Sequence, residues 1–266
     1  MAGARPWTAV ASSSDGSHLI AVAAHIYIST DYGVHWTAQA APGAQNWEGV
    51  SSSADGSHLV ATYGGAGGEI WTSSDYGADW TDQTVSTPAA NQNYDGVSSS
   101  ASGQYVAARV YNGDIWLSND YGVTWTDQTN LGFGYWNSVA YSANGNVIAV
   151  AQGGGDNYVS YNQGSTWVDQ ATLGAGPGSG WFGITLNADG SRAAVVNYSG
   201  DIWTGYDPSL VSQIQSSTSS PSPTANSPDT GYGQPYRSEP VITILSILGV
   251  LSIVAGLRLS HKQKRT

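Results

Sequence analysis

A nine-residue phrase recurs along this chain. Ser118-Asn119-Asp120-Tyr121-Gly122-Val123-Thr124-Trp125-Thr126 is matched from Ser29 to Thr37 and from Ser73 to Thr81, and paraphrased from Ser160 to Val168. Its anchor residues are Asp31, Gly33 and Trp36, then Asp75, Gly77 and Trp80, then Asp120, Gly122 and Trp125. The fourth copy has Asn162, Gly164 and Trp167. Such a phrase makes a tight hairpin. The Asp or Asn side chain accepts nearby backbone N–H groups, and the Gly takes a backbone conformation closed to side chains. The Trp opens the returning strand and lays a large apolar surface over the turn. These anchors are structural.

A second phrase runs beside the first: an aromatic, two residues, Val or Ile, then a small polar run ending in Gly. It spans Trp7 to Gly16, Trp47 to Gly56, Tyr94 to Gly103, Trp136 to Gly145 and Trp181 to Gly190. The repeat length is about 40 to 47 residues, the range of propeller blades. Alternation and turn residues mark four strand-like runs in the second repeat: Trp47 to Ser52, His58 to Tyr63, Glu69 to Ser73 and Asp79 to Thr84. Four antiparallel strands per repeat and no helical periodicity define an all-β chain, a β-propeller of about five four-stranded blades over residues 1–211. The fifth repeat loses its turn phrase at Asp207-Pro208. Its fourth strand is sought in Leu210 to Gln215 or outside the segment. A ring needs its ends to meet, because an open strand edge is a liability. Either five blades close a small ring, or the chain starts partway through a larger one.

Charge narrows the partners. The net charge is −11, yet Arg5, Arg109 and Arg192 are the only Arg or Lys residues before Asp207. An acidic body lacks the cations that phosphate contacts need, so nucleic acid is excluded. Cys is absent, which removes disulfides and thiolate metal sites. The five His residues are scattered without metal-ligand spacing, and no phosphate loop or dinucleotide fingerprint is present. No metal and no cofactor is expected.

Past the repeats the composition shifts. Residues 212–240 form a Ser/Thr/Pro-rich linker that cannot bury enough apolar surface to fold. Residues 241–257 are apolar and uncharged, at the short limit of about 17 residues for a membrane-spanning helix. Residues 258–266 are basic, and the positive-inside bias places them in the cytoplasm with the propeller outside. The start from Met1 to Pro6 has no apolar signal region, so the natural N-terminus is expected further upstream.

The hairpin phrase resembles the Asp-box, or BNR repeat, of sialidases, Ser-x-Asp-x-Gly-x-Thr-Trp. Asp-boxes also occur in xyloglucan-active glycoside hydrolases, sortilin-type receptors and photosystem II assembly factors. The resemblance covers residues 7 to about 207 and implies a propeller with its boxes at the blade periphery. Sialidases hold the substrate carboxylate with three Arg, and they use a Tyr–Glu nucleophile pair and an Asp acid/base. Arg109 and Arg192 fall toward opposite faces here and Arg5 sits at the start, so that triad is not assembled. Separately, Pro228-Asp229-Thr230-Gly231 is similar to the sortase signal Leu-Pro-x-Thr-Gly, with Ser227 in place of Leu. It implies a sortase partner and linkage to the cell wall after Thr230.

A ligand site is sought on the face opposite the boxes, where Asn46-Trp47-Glu48, Asn91 to Asp95, Tyr135-Trp136-Asn137 and Gly180-Trp181-Phe182 lie in loops. Trp47, Tyr94, Trp136, Trp181, Arg109 and Asn137 are the candidate ligand-binding residues, since aromatics beside amides suit sugar rings. Recurrence in every repeat equally suits packing of the aromatics between blades. Glu48 and Asp95 depart from their repeat equivalents Thr8, Asn137 and Phe182 and are the candidate acid/base pair. The expected function is a surface-anchored extracellular binding or adhesion module for glycans or proteins, held at the membrane or cell wall. The alternatives are a glycoside hydrolase and a structural surface protein.

Overall fold

A computed structural model describes residues 3–65, 67–170, 180–198, 202–206 and 261–262. The described residues form five four-stranded antiparallel sheets, each built from four consecutive strands. The first is β1 (Ala9–Ser12), β2 (Leu19–Val22), β3 (Ile26–Ser29) and β4 (Thr37–Ala38). The second is β5 (Trp47–Ser52), β6 (Leu59–Tyr63), β7 (Ile70–Ser73) and β8 (Thr81–Asp82). The third is β9 (Tyr94–Ser99), β10 (Val106–Val110), β11 (Ile115–Ser118) and β12 (Thr126–Asp127). A 3-10 turn, η1 (Thr129–Leu131), leads to the fourth: β13 (Trp136–Tyr141), β14 (Ile148–Gln152), β15 (Asn157–Ser160) and β16 (Val168–Asp169). The fifth is β17 (Trp181–Leu186), β18 (Arg192–Asn197), β19 (Ile202–Tyr206) and β20 (His261–Lys262).

Period-2 alternation sends one side of each inner strand toward the next sheet and the other toward the sheet before. Ile20, Val22, Ile26 and Ile28 of the first sheet thus pack on Trp47, Val50, Leu59 and Ala61 of the second. Val60 and Ile70 meet Tyr94, Val106, Ala108 and Trp116. Ala107, Ile115 and Leu117 meet Trp136, Ile148 and Val150. Val147, Ala149 and Val159 meet Ile184 and Leu186. Burial of each large side chain contributes about 1.5–3 kcal/mol relative to exposure. Sheet-on-sheet burial in tandem, rather than any one core, holds the β-propeller architecture together.

The box hairpins are built by hydrogen bonds. In the third, Ser118 Oγ donates to Asp120 Oδ1 (2.8 Å) and accepts from the Gly122 N–H (2.9 Å). Asp120 Oδ1 also accepts from the Thr124 N–H, and Trp125 Nε1 donates to the Gly122 carbonyl. Gly122 has φ +83° and Tyr121 before it φ +65°, so both central residues are left-handed, as in a type I′ turn. Sequence reasoning assigned that conformation to the Gly alone. Asn162 reproduces the turn with its amide, accepting from the Thr166 N–H and donating to Thr166 Oγ1. Ser118→Ala would strand the buried Gly122 N–H and is expected to cost about 1–3 kcal/mol in urea unfolding. Asp120→Asn should cost far less, because the fourth hairpin already works with Asn.

One expected boundary changes, and one open alternative is decided. The outer strand of the second sheet is two residues long, not Asp79 to Thr84. Asp75 Oδ1 holds the Asp79 N–H and Asp82 Oδ1 holds the Thr84 N–H, which leaves Thr81 and Asp82 to pair with β7. In the fifth sheet the outer position is taken by β20, with Trp203 opposite Lys262 and Thr204 opposite His261. Leu210 to Gln215, the remainder of the linker, Pro228 to Gly231 and the apolar run 241–257 lie outside the described residues. Among those described, no helix is long and apolar enough to cross a membrane.

Candidate functional site

The antiparallel order puts the boxes at one end of the first four sheets. The loops joining second to third strands, and fourth strands to the next sheet, lie at the other. At that loop end the first two strands fall out of register by one residue, between Trp47 and Gly49, between Arg109 and Val110, between Trp136 and Ser138, and between Trp181 and Gly183. The residues freed by these bulges are Glu48, Asp95, Asn137 and Phe182. A bulge re-aims its extra side chain, and these are the positions where the repeats disagree.

The aromatics one step earlier have a different fate. Trp47, Tyr94, Trp136 and Trp181 are buried. Tyr94 Oη donates to the Ala89 carbonyl (2.6 Å) and Trp136 Nε1 to the Gly113 carbonyl (3.0 Å). Trp47 lies edge-on to Tyr63, and Trp181 packs with Ala151 and Val195. Their rings fill the joints between sheets and present no face to a ligand.

Two of the other candidates also work at these joints. Arg109 Nη1 donates to the Trp136 carbonyl (2.7 Å), and Asn137 Nδ2 donates to the Trp181 carbonyl (2.6 Å). Thr8 Oγ1 does the same for Trp47 (2.7 Å). Each ties its own sheet to the opening aromatic of the next.

Asp95 and Arg109 form a largely buried ion pair, Nη1 to Oδ2 at 2.8 Å, and Nη2 also donates to the Asp95 carbonyl. Gly96 leaves the space this guanidinium fills, since a Cβ there would collide with it. Asp95 Oδ1 is buried with no hydrogen-bond partner. Burial pushes the Asp95 carboxyl up to about 6, against the attraction of Arg109 and with a smaller push from Glu48. The short pair favours the charged form, but desolvation outweighs it.

The box end behaves oppositely. Hydrogen bonds led by the Ser13 hydroxyl hold Asp15 down at about 2, and those led by the His35 N–H do the same for Asp31. The signs give a stability optimum. Asp95 stabilises the fold below about pH 4, and that contribution is lost as pH rises through about 6. Asp15 and Asp31 stabilise above about pH 4, and theirs is lost as pH falls toward about 2. Thermal melts from pH 2 to 8 should therefore peak near pH 4 to 5, and Asp95→Asn should flatten the limb above the peak.

Exposed aromatics crown the loop end, opposite the boxes. Tyr111 and Tyr135 lie edge to face with centroids 5.9 Å apart, on loops joined by a Gly113–Gly134 bridge, and Phe133 is exposed on the second of these loops. Phe182 and Tyr198, centroids 6.1 Å apart, form a second exposed pair on the fifth sheet. Tyr135 and Phe182 are sequence neighbours of the buried Trp136 and Trp181, and both are exposed. Tyr111 and Tyr198 share a repeat position filled by Ala24, Gly64 and Gly153 elsewhere, and that departure from the repeat is the signal that marks them. Among the described residues, no group of three or more His, Asp or Glu residues is placed to hold a metal.

The site belongs to the class of β-propellers with box hairpins at one end and a variable loop face at the other. A family model described as the BNR-Asp box repeat matches residues 70–83. No curated protein sequence matches the chain. Among solved structures, the GH74 xyloglucanase from Xanthomonas campestris is similar with TM-score 0.59 and 16% identity, over 75% of this chain and 37% of that one. An ancestral GH74 enzyme gives TM-score 0.60 and 14% identity, over 76% and 31%. This chain therefore spans about a third of those enzymes. YCF48 bound to a D1 peptide gives TM-score 0.55 and 16% identity, over 77% and 67%. The Myceliophthora thermophila Cps50 (Swd1) β-propeller domain gives TM-score 0.55 and 14% identity, over 77% and 66%. At these identities the likeness shows the fold alone.

Proposed function

We propose that this chain is the binding head of a surface-attached protein, an extracellular propeller whose loop face takes glycans or proteins. The observation that carries this is the crown of exposed aromatics, Tyr111, Phe133 and Tyr135, at the loop end of the third and fourth sheets, whose bulges free Asp95 and Asn137. Flat rings beside carboxylate and amide groups suit a sugar, which offers an apolar face and a rim of hydroxyls. The linker 212–240 serves as a stalk, and the apolar run 241–257 or the motif Pro228 to Gly231 attaches it to membrane or cell wall. Because His261–Lys262 pairs with β19, a membrane-crossing course for the tail requires that strand to leave the fifth sheet.

A glycan array and a pull-down from surface extracts, each with wild type and the triple variant Tyr111→Ala/Phe133→Ala/Tyr135→Ala, test the proposal. The variant should lose binding by about ten-fold or more, the equivalent of roughly 1.4 kcal/mol. No retained ligand, or equal retention by both proteins, would sink it.

One observation favours a second reading, glycoside hydrolysis. Asp95 is raised to about 6 and so is able to hold a proton near neutrality, with Glu48 as its partner carboxylate. Hydrolysis of fluorogenic glycosides that Asp95→Asn and Glu48→Gln both abolish would establish it over binding alone.

A further inference from the structure

We infer that the row of five sheets is completed by further blades of this same repeat, docked between the outward face of the fifth sheet and the outward face of the first. Every joint inside the row follows one rule, and both ends carry half of it.

A buried opening aromatic and a belt of backbone bonds build all four internal joints; a seated box glycine joins them in the first three and a His–Tyr stack in the first two. The opening aromatic of the later sheet is buried against the earlier one, as Trp47 is. The box glycine of the later sheet seats on the third strand of the earlier: Gly77 against Ile28, Gly122 against Thr72 and Gly164 against Leu117. In the first two joints a His of the earlier sheet stacks on the box Tyr of the later, His18 on Tyr76 (4.6 Å) and His58 on Tyr121 (4.5 Å). A belt of backbone bonds crosses all the joints: Ser14 N–H to Ala54, Ala54 N–H to Ala101, Ala101 N–H to Ala143, and Asn144 N–H to Ala188.

The first sheet carries the receiving half of this joint with nothing on it. Trp7 and Val10, equivalent to Trp47 and Val50, are 39% and 69% exposed, against 1% and 8% for those residues. Gly33 finds only Leu19 and Trp36 of its own sheet, and Tyr32 of the first box is 70% exposed. Among the described residues, no backbone donor reaches the Ser14 carbonyl, where the belt begins. A cavity of about 680 Å³ lies along this face, lined by Trp7, Val10, Ala21 and Trp36 among others. The fifth sheet carries the offering half. Ile202 is 52% exposed, where its equivalents Ile26, Ile70 and Ile115 are fully buried, and Val196 is 36% exposed.

The occupant must present an aliphatic second-and-third-strand face to Trp7 and an aromatic opening face to Ile202. That is the chemistry of this repeat's own two faces, and it continues an interface already present at every joint. The space also matches. This chain covers 66% of the Cps50 propeller domain, so about a third of a propeller of that length lies beyond the five sheets, whereas a second copy of the chain would bring five.

The chain has no Cys, so single-cysteine variants report each face. In the 266-residue protein, Val10→Cys, Val196→Cys and the box-tip control Val123→Cys should all react readily with a maleimide. An extended chain carrying a duplicate of residues 47–135 directly before Trp7 should slow Val10→Cys and Val196→Cys by about ten-fold or more, as expected on burial. Val123→Cys should stay fast. A shorter extension by residues 94–135 should protect Val10→Cys alone. Full reactivity of Val10→Cys in both extended chains would overturn the inference, as would failure of both extensions to fold. Protection already present in the 266-residue chain would also overturn it. If that protection grows with concentration, the occupant is a second copy; if it does not, the chain closes on itself.

Discussion

Arg109→Ala is expected to cost about 3 kcal/mol at pH 7 and clearly less at pH 4.5, the low end of the range for breaking a buried ion pair because this one keeps some access to water. Removing the guanidinium leaves the Asp95 carboxylate without its counter-charge and the Trp136 carbonyl without its donor. Asp95 titrates at about 6 with Arg109 present and higher without it. At pH 4.5 the side chain is therefore protonated and the loss of the positive charge matters less. Urea unfolding at the two pH values is the measurement. Equal losses at both would mean that the charge pair is not what Arg109 supplies. The double variant Arg109→Met/Asp95→Asn should recover most of the loss, since neutral replacement of both partners removes the unpaired charge.

Trp136→Ala should cost about 3–5 kcal/mol, the usual range for emptying a buried Trp site. Trp136→Phe should cost much less. The Gly113 carbonyl that accepts from the indole also accepts from the Gly134 N–H (3.0 Å), so no buried acceptor is stranded. Ligand capture by folded Trp136→Phe should match wild type, while Tyr135→Ala should bind poorly and unfold normally. If Trp136→Phe instead loses ligand with stability intact, the assignment of the two neighbours is reversed.

The fold was legible because its signals are local. A box needs only Ser, Asp, Gly and Trp within nine residues, and its bonds close inside that span. The propeller class followed from repetition of that span. The site was half legible. Glu48 and Asp95 stood out because they break the repeat, and they do sit at the bulges. The face of each aromatic was not legible, because adjacent side chains point opposite ways and a one-residue bulge reverses the alternation. Trp136 and Tyr135 are neighbours in sequence, yet one is core and the other surface. The partner of Arg109 lies in the neighbouring strand and its acceptor in the next sheet, and nothing local announces either. The outer strand of the fifth sheet comes from His261–Lys262, far beyond any window in which alternation is read.

The seating of each box glycine on the sheet before it also sets a direction in time. Ile28 is synthesised before Gly77, Thr72 before Gly122 and Leu117 before Gly164. A nascent chain leaving the ribosome therefore meets, at each turn, a surface that has already emerged. Assembly can advance one repeat at a time from the N-terminal side, with each new hairpin landing on a finished neighbour rather than waiting for a distant one.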